Sequence, residues 1–116
     1  MRVGSIVMGA SDVRRAMEFW SRALGYVPRD EPEADWVVLR PASGDGPNIS
    51  LGRSETPVQE RPRVHLDLYA ADQAGEVERL LGIGATRVDW ADYPDDADFV
   101  VLADPEGNRF CVIQHG

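Results

Sequence analysis

The sequence predicts an α+β protein in which tandem βαβββ modules form a cupped mixed sheet with the helices on its outer face. Three correspondences carry that expectation. The pentapeptide DWVVL (Asp35 to Leu39) returns almost unchanged as DFVVL (Asp98 to Leu102). SIVMGASD (Ser5 to Asp12) corresponds, 60 residues further on, to HLDLYAAD (His65 to Asp72). DGPNISL (Asp45 to Leu51) corresponds, 61 residues further on, to EGNRFCV (Glu106 to Val112). Similarity sustained at a nearly constant spacing marks a duplicated structural unit. A chain of 116 residues is the size of one ordinary domain, so the copies must cooperate.

Each copy reads strand, helix, strand, strand, strand. In the opening strands alternation sets Ile6 and Met8 against Ser5, Val7 and Gly9, and Leu66 and Leu68 against His65, Asp67 and Tyr69. Asp12 and Asp72 then occupy equivalent places, each followed by a helical pattern. Val13, Ala16, Met17, Trp20 and Leu24 recur at helical spacing in the first copy, and Val77, Leu80, Leu81 and Ile83 in the second. Gly25 and Gly84 are the expected helix stops. YVPRDE (Tyr26 to Glu31) and ATRVDW (Ala85 to Trp90) read as the strands that follow the helices. The DWVVL and DFVVL strands come next, and an acidic residue with glycine turns each chain back into its last strand. There Ile49 and Leu51 oppose Asn48, Ser50 and Gly52, while Phe110 and Val112 oppose Arg109, Cys111 and Ile113.

Between the copies lies RSETPVQERP (Arg53 to Pro62), polar and proline-bearing as a linker is. The organisation is one domain over residues 1–116, with repeat 1 at 1–53, a linker at 54–61 and repeat 2 at 62–116. Neither repeat is expected to stand alone, since one helix covers only one face of a four-stranded sheet.

Composition narrows the function. With 20 acidic against 12 basic residues the net charge is −8, a field that repels nucleic acid and anionic membranes, so neither is an expected partner. No apolar run is long enough to span a bilayer, and MRVGSIVMGAS reads as a strand rather than a signal peptide, which makes the cytoplasm the default location. The single cysteine, Cys111, excludes an internal disulfide and leaves a packed or a reactive thiol, packing being the commoner fate.

Two motifs, D-x-x-x-x-x-x-F-W-x-x-x-L-G (Asp12 to Gly25) and D-P-E-G-N-x-F (Asp104 to Phe110), together with the repeat, make the whole chain resemble the vicinal oxygen chelate superfamily. That superfamily holds glyoxalases, extradiol dioxygenases and bleomycin-resistance proteins, and the HLDL and DPEGNRFCV stretches look most like its glyoxalase-like domains. The resemblance implies a divalent ion in the cup of metalloenzyme members, held by one residue from the first and one from the last strand of each repeat. Those positions align here with Ser5, Ser50, His65 and Cys111. Only His65 matches the family's ligand type, and the last-strand positions, usually glutamate, carry Ser50 and Cys111. A stable divalent site needs three or four strong ligands, so no metal cofactor is expected; zinc on His65, Cys111 and Asp67 is the fallback. The resemblance also implies a homodimer.

The faces opposite the apolar sets are expected to line one concave surface that takes a small organic ligand, with Ser5, Trp36, Asn48, Ser50, His65, Asp67, Tyr69, Arg109 and Cys111 as the candidate ligand-binding residues. Their alternative is to face water on an open sheet. Ser5, Ser50, His65 and Cys111 are expected to approach one another across that cup. Trp36 and Trp90 could cap it, although core burial is the commoner outcome for tryptophan. The acidic run YPDDAD (Tyr93 to Asp98) reads as a solvated loop, and His115 as frayed. Two functions fit: a bleomycin-resistance-like module that sequesters a small molecule, or a metal-independent or atypically metal-dependent lyase or isomerase using His65 as catalytic general acid/base with Asp67 orienting it. Cys111 as nucleophile would require a lowered pKa.

Overall fold

The computed structural model describes all 116 residues, Met1–Gly116. The chain divides into two compact units, Met1–Pro57 and Val58–Gly116, and the division falls inside the expected linker.

The first unit runs β1 (Ser5–Ala10), α1 (Val13–Leu24), β2 (Tyr26–Pro28), β3 (Trp36–Pro41), β4 (Asn48–Arg53). Its four-stranded sheet has the order β1-β4-β3-β2, with β1 parallel to β4 and the other pairs antiparallel. Helix α1 starts where Asp12 accepts the Arg15 N–H at 3.1 Å and stops at Gly25, whose φ of 68° closes the last turn onto the Ser21 carbonyl. Its buried face is Val13, Ala16, Phe19 and Trp20. Phe19, outside the expected set, is buried while Met17 and Leu24 are only half-buried, because Phe19 meets Trp20 edge to face at 5.0 Å and fills the space above β3 and β4. Leu39, Ile49 and Leu51 complete that core.

The second unit runs β5 (Asp67–Ala70), α2 (Gln73–Gly82), β6 (Thr86–Arg87), β7 (Phe99–Ala103), β8 (Arg109–Gln114). The sheet order β5-β8-β7-β6 repeats that of the first unit, again with one parallel pair, β5 and β8. Asp72 caps α2 by accepting the Gly75 N–H at 3.1 Å, and a side chain at 75 would put its Cβ 2.3 Å from the Asp72 carboxylate, so glycine is what lets the cap close. The helix ends at Gly82 with Ile83 as its cap, not at Gly84. Gly84, at φ 125°, lies just beyond, where it lets the Ala85 N–H return to the Leu80 carbonyl at 3.0 Å. Val77, Leu80, Leu102, Phe110 and Val112 form the core under α2.

Four expectations need correction. The strands after the helices are much shorter than YVPRDE and ATRVDW: β2 ends at Pro28, with one further bond from the Arg29 N–H to the Val38 carbonyl at 2.8 Å, and β6 is a two-residue exposed edge. Trp36 is not in the core: it is exposed and lies over Gly52, where an added Cβ would come within 3.2 Å of its ring. Trp90 is half-buried rather than a core residue, with the Arg61 guanidinium 5.1 Å from its ring centre. His115 is not frayed, since its N–H donates to the Ala70 carbonyl at 2.9 Å and its ring stacks on Tyr69 at 4.5 Å. The run Tyr93 to Asp98 is exposed, as a solvated loop should be, although the Tyr93 hydroxyl accepts the Val101 N–H at 2.7 Å.

Candidate functional site

Strand register assembles the site in the second unit. Asp67 pairs with Cys111 and Tyr69 with Ile113 across the parallel β5 and β8, while Val101 pairs with Cys111 and Phe99 with Ile113 across β7 and β8. Paired residues share a face, and so do residues two apart on a strand, so one face carries Arg109, Cys111 and Ile113 in a row along β8. His65 and Asp67 flank that row on one side, and Phe99 and Val101 on the other. The opposite face sends Phe110 and Val112 into the core under α2.

This face lines a cavity of about 410 Å³, within the range of small-ligand sites. Four of the candidate residues, His65, Asp67, Arg109 and Cys111, line it. Phe99, Val101 and Ile113 give it apolar walls, and Trp90 with Arg61 closes one side from the segments outside the sheet. Phe99 and Val101 belong to a strand whose outward face the candidate set did not include; alternation along DFVVL, continued from the pairing with Cys111, is the signal that finds them. Arg61 lies at the edge of the polar linker, where nothing local marks it.

Chemically the polar end is organised around His65. Its Nε2 lies 3.0 Å from Asp67 Oδ1, so the carboxylate that follows it by two residues orients the ring. Both side chains remain partly exposed, at 43% and 46%, which leaves them accessible to a ligand or to water. Cys111 is the third member: its thiol is pushed up to about 11, first by burial and second by the Asp67 carboxylate beside it. The lowered pKa that the nucleophile reading requires is therefore absent, the shift being in the opposite direction. Arg109 donates to the Glu60 carbonyl at 2.6 Å and makes no ion pair.

The corresponding positions of the first unit meet differently. Ser5 and Ser50 share a 2.6 Å hydrogen bond, with Ser50 fully buried, and Ser5 also reaches the Asn48 carbonyl at 3.4 Å. These hydroxyls satisfy each other. Trp36 lines a separate depression in the first unit with Asp30, Glu31 and Glu33, and Tyr69 is engaged with His115.

The family's divalent ion can be tested against these donors. Ser5 and Ser50 are weak neutral ligands already bonded together, and Cys111 stands as a thiol where a carboxylate would serve, so the four positions do not fit that ion. His65, Asp67 and Cys111 do place their ligand atoms within 4.8 Å of one another. A metal there would have to draw a proton from Cys111 and compete with the His65 to Asp67 hydrogen bond.

The comparisons with known proteins agree with this architecture. The glyoxalase-like domain family matches residues 5–113. No curated protein matches the sequence. Among solved structures, a glyoxalase/bleomycin resistance protein/dioxygenase family enzyme from Burkholderia phytofirmans PsJN superposes with a TM-score of 0.75 at 16% identity, covering 97% of each chain. A possible glyoxalase from Bacillus cereus gives 0.70 at 19% identity, over 97% of this chain and 98% of that one. A glyoxalase-related enzyme from Fulvimarina pelagi gives 0.70 at 18%, over 97% of this chain and 87% of the other. At such identities the likeness is one of fold. With nearly the whole chain matched, from the start of β1 into β8, the protein belongs to the glyoxalase-like domain family.

Proposed function

We propose that the protein is a small-molecule-binding member of its family, sequestering an organic ligand in the cavity of the second module without a metal. The observation that carries this reading is the cavity itself. Apolar walls from Phe99, Val101 and Ile113 stand opposite convergent polar groups from His65, Asp67 and Arg109, the composition of a ligand site rather than of a solvated sheet face. Native mass spectrometry of the purified protein should show a bound organic mass that denaturation releases. For that molecule His65→Ala should weaken binding by about 0.5 to 3 kcal/mol, the cost of one lost hydrogen bond, and a chelator should leave the affinity unchanged. Calorimetry reads both, and an affinity abolished by the chelator would refute the metal-free part.

The His65 to Asp67 hydrogen bond favours one alternative, a lyase or isomerase in which the oriented imidazole moves a proton on a bound substrate. There His65→Ala should reduce turnover by about a hundredfold with affinity near normal. The two readings thus separate on whether binding or rate responds.

The same reading takes the protein to be cytoplasmic, where a lone thiol stays reduced, and no helix is long and apolar enough to cross a membrane. It also takes the protein to be a homodimer, since each sheet ends in short edge strands with unpaired backbone groups. Sedimentation at micromolar concentration is expected to give twice the chain mass, and a monomer would remove the dimer.

A further inference from the structure

We infer that the ligand of the second-module cavity is a flat aromatic anion, its ring held by Trp90, Phe99 and Val101 and its negative group by Arg109. The inference rests on the small-molecule reading above and specifies its chemistry.

Charge is the first argument. A half-buried guanidinium that lines a cavity and has no carboxylate partner is open to an anionic ligand. Arg109 is such a residue: it lines the cavity, is half-buried, and its only bond is one donated to the Glu60 carbonyl. A guanidinium has five N–H donors in a rigid fork, so most of them remain for a ligand, in a geometry that suits a planar two-oxygen anion. Arg61, the second cation at the cavity, is already committed. It pairs with Asp92 and lies over the Trp90 ring, which makes it a support for that ring rather than the anion receptor.

The arrangement along β8 is the second argument. Arg109 stands at one end of the row and Ile113 at the other, with Phe99 beside Ile113 and Val101 beside Cys111. His65, two residues before β5 begins at Asp67, continues the polar end. A ligand lying along β8 would therefore meet a cation at one end and apolar walls at the other. Asp67, the one carboxylate lining the cavity, is held by His65 at 3.0 Å and so turns its charge toward the ring. A cationic ligand would gain Asp67 but face Arg109 and Arg61; a neutral one would leave the Arg109 fork unsatisfied.

The test is a matched pair of probes, naphthoate and naphthamide, which share ring and shape and differ in charge. Calorimetric titration at low salt should give naphthoate an affinity at least about tenfold above naphthamide, a preference that shrinks as salt screens the pair. In Arg109→Met the ratio should fall to near one, and Arg109→Lys should keep a reduced preference, since it retains charge but loses the fork. Because the readout is a ratio within one protein, a variant that merely loosens the Glu60 contact cannot imitate the result; circular dichroism checks that each variant is folded. Naphthamide binding as well as naphthoate, or a preference that survives Arg109→Met, would overturn the anion inference and leave the cavity reading standing. Binding of neither probe at millimolar concentration would overturn both.

Discussion

Cys111 is expected to react with dithiobis-nitrobenzoate at near-neutral pH at least about tenfold more slowly than a free cysteine. The thiol is held up to about 11, chiefly by burial and further by the Asp67 carboxylate. An unperturbed thiol titrates near 9.0, so about 100-fold less thiolate is present here at neutral pH. The thiolate that does form is more basic and more nucleophilic, which recovers about tenfold, and leaves the net factor stated above. The rate should then climb about tenfold per pH unit until the solution approaches the thiol's own pKa. Asp67→Asn should accelerate the reaction at a given pH, since removing a like charge lowers the pKa, while burial, the larger cause, persists and keeps the residue slower than a free thiol. A rapid stoichiometric burst at neutral pH would contradict the assigned thiol state and restore covalent catalysis as a reading of the site.

That outcome bears on which parts of the site were legible in the sequence. The His65 and Asp67 pair was, because HLDLYA reads as an extended segment in which residues two apart share a face, although the strand itself begins only at Asp67. The strand faces of β4, β5 and β8, and the start of a helix after each of Asp12 and Asp72, were legible from local pattern alone. What could not be read locally is register. Asp67 sits against Cys111, and Val101 and Phe99 join the same face, only because β8 lies between β5 and β7 with one particular alignment. Shifting β7 by one residue would exchange its cavity-lining and core side chains, and no residue of DFVVL announces which alignment wins. Trp90 and Arg61 come from segments without periodicity, so their meeting over the cavity had no signal at all. The helix misassignments are subtler. Phe19 and Met17 both lie near the edge of the apolar stripe of α1, and ring packing against Trp20 decides which is buried.

The second large effect is expected at Asp104, in the D-P-E-G-N motif that carried much of the family resemblance. Asp104 is 2% exposed, yet it lines no part of the cavity. Its Oδ1 accepts the Glu106 N–H at 2.9 Å and the Asn108 N–H at 2.8 Å, and its Oδ2 accepts from the Asn108 amide at 3.3 Å. The backbone closes the same turn, Gly107 N–H to the Asp104 carbonyl and Asp104 N–H to the Asn108 carbonyl, both at 2.9 Å. Gly107 supplies the φ of 90° the reversal needs. The motif is therefore a hairpin built around one buried carboxylate, and it sets where β8 begins and hence where Arg109 and Cys111 fall. Asp104→Ala strips an ionic acceptor from two backbone donors and should cost about 3 kcal/mol or more of folding stability, since hydrogen bonds to a charged group contribute roughly 1.5 to 3 kcal/mol each. Asp104→Asn keeps an acceptor oxygen but not the charge, and should lose roughly half as much. Urea denaturation measures both. Against a total stability of about 5 to 15 kcal/mol the alanine variant would remain largely folded at low temperature, so its cavity can be tested too. An alanine variant within about 0.5 kcal/mol of the parent, the range of an ordinary surface change, would show that the turn closes through its backbone alone and that the carboxylate must be conserving some other role.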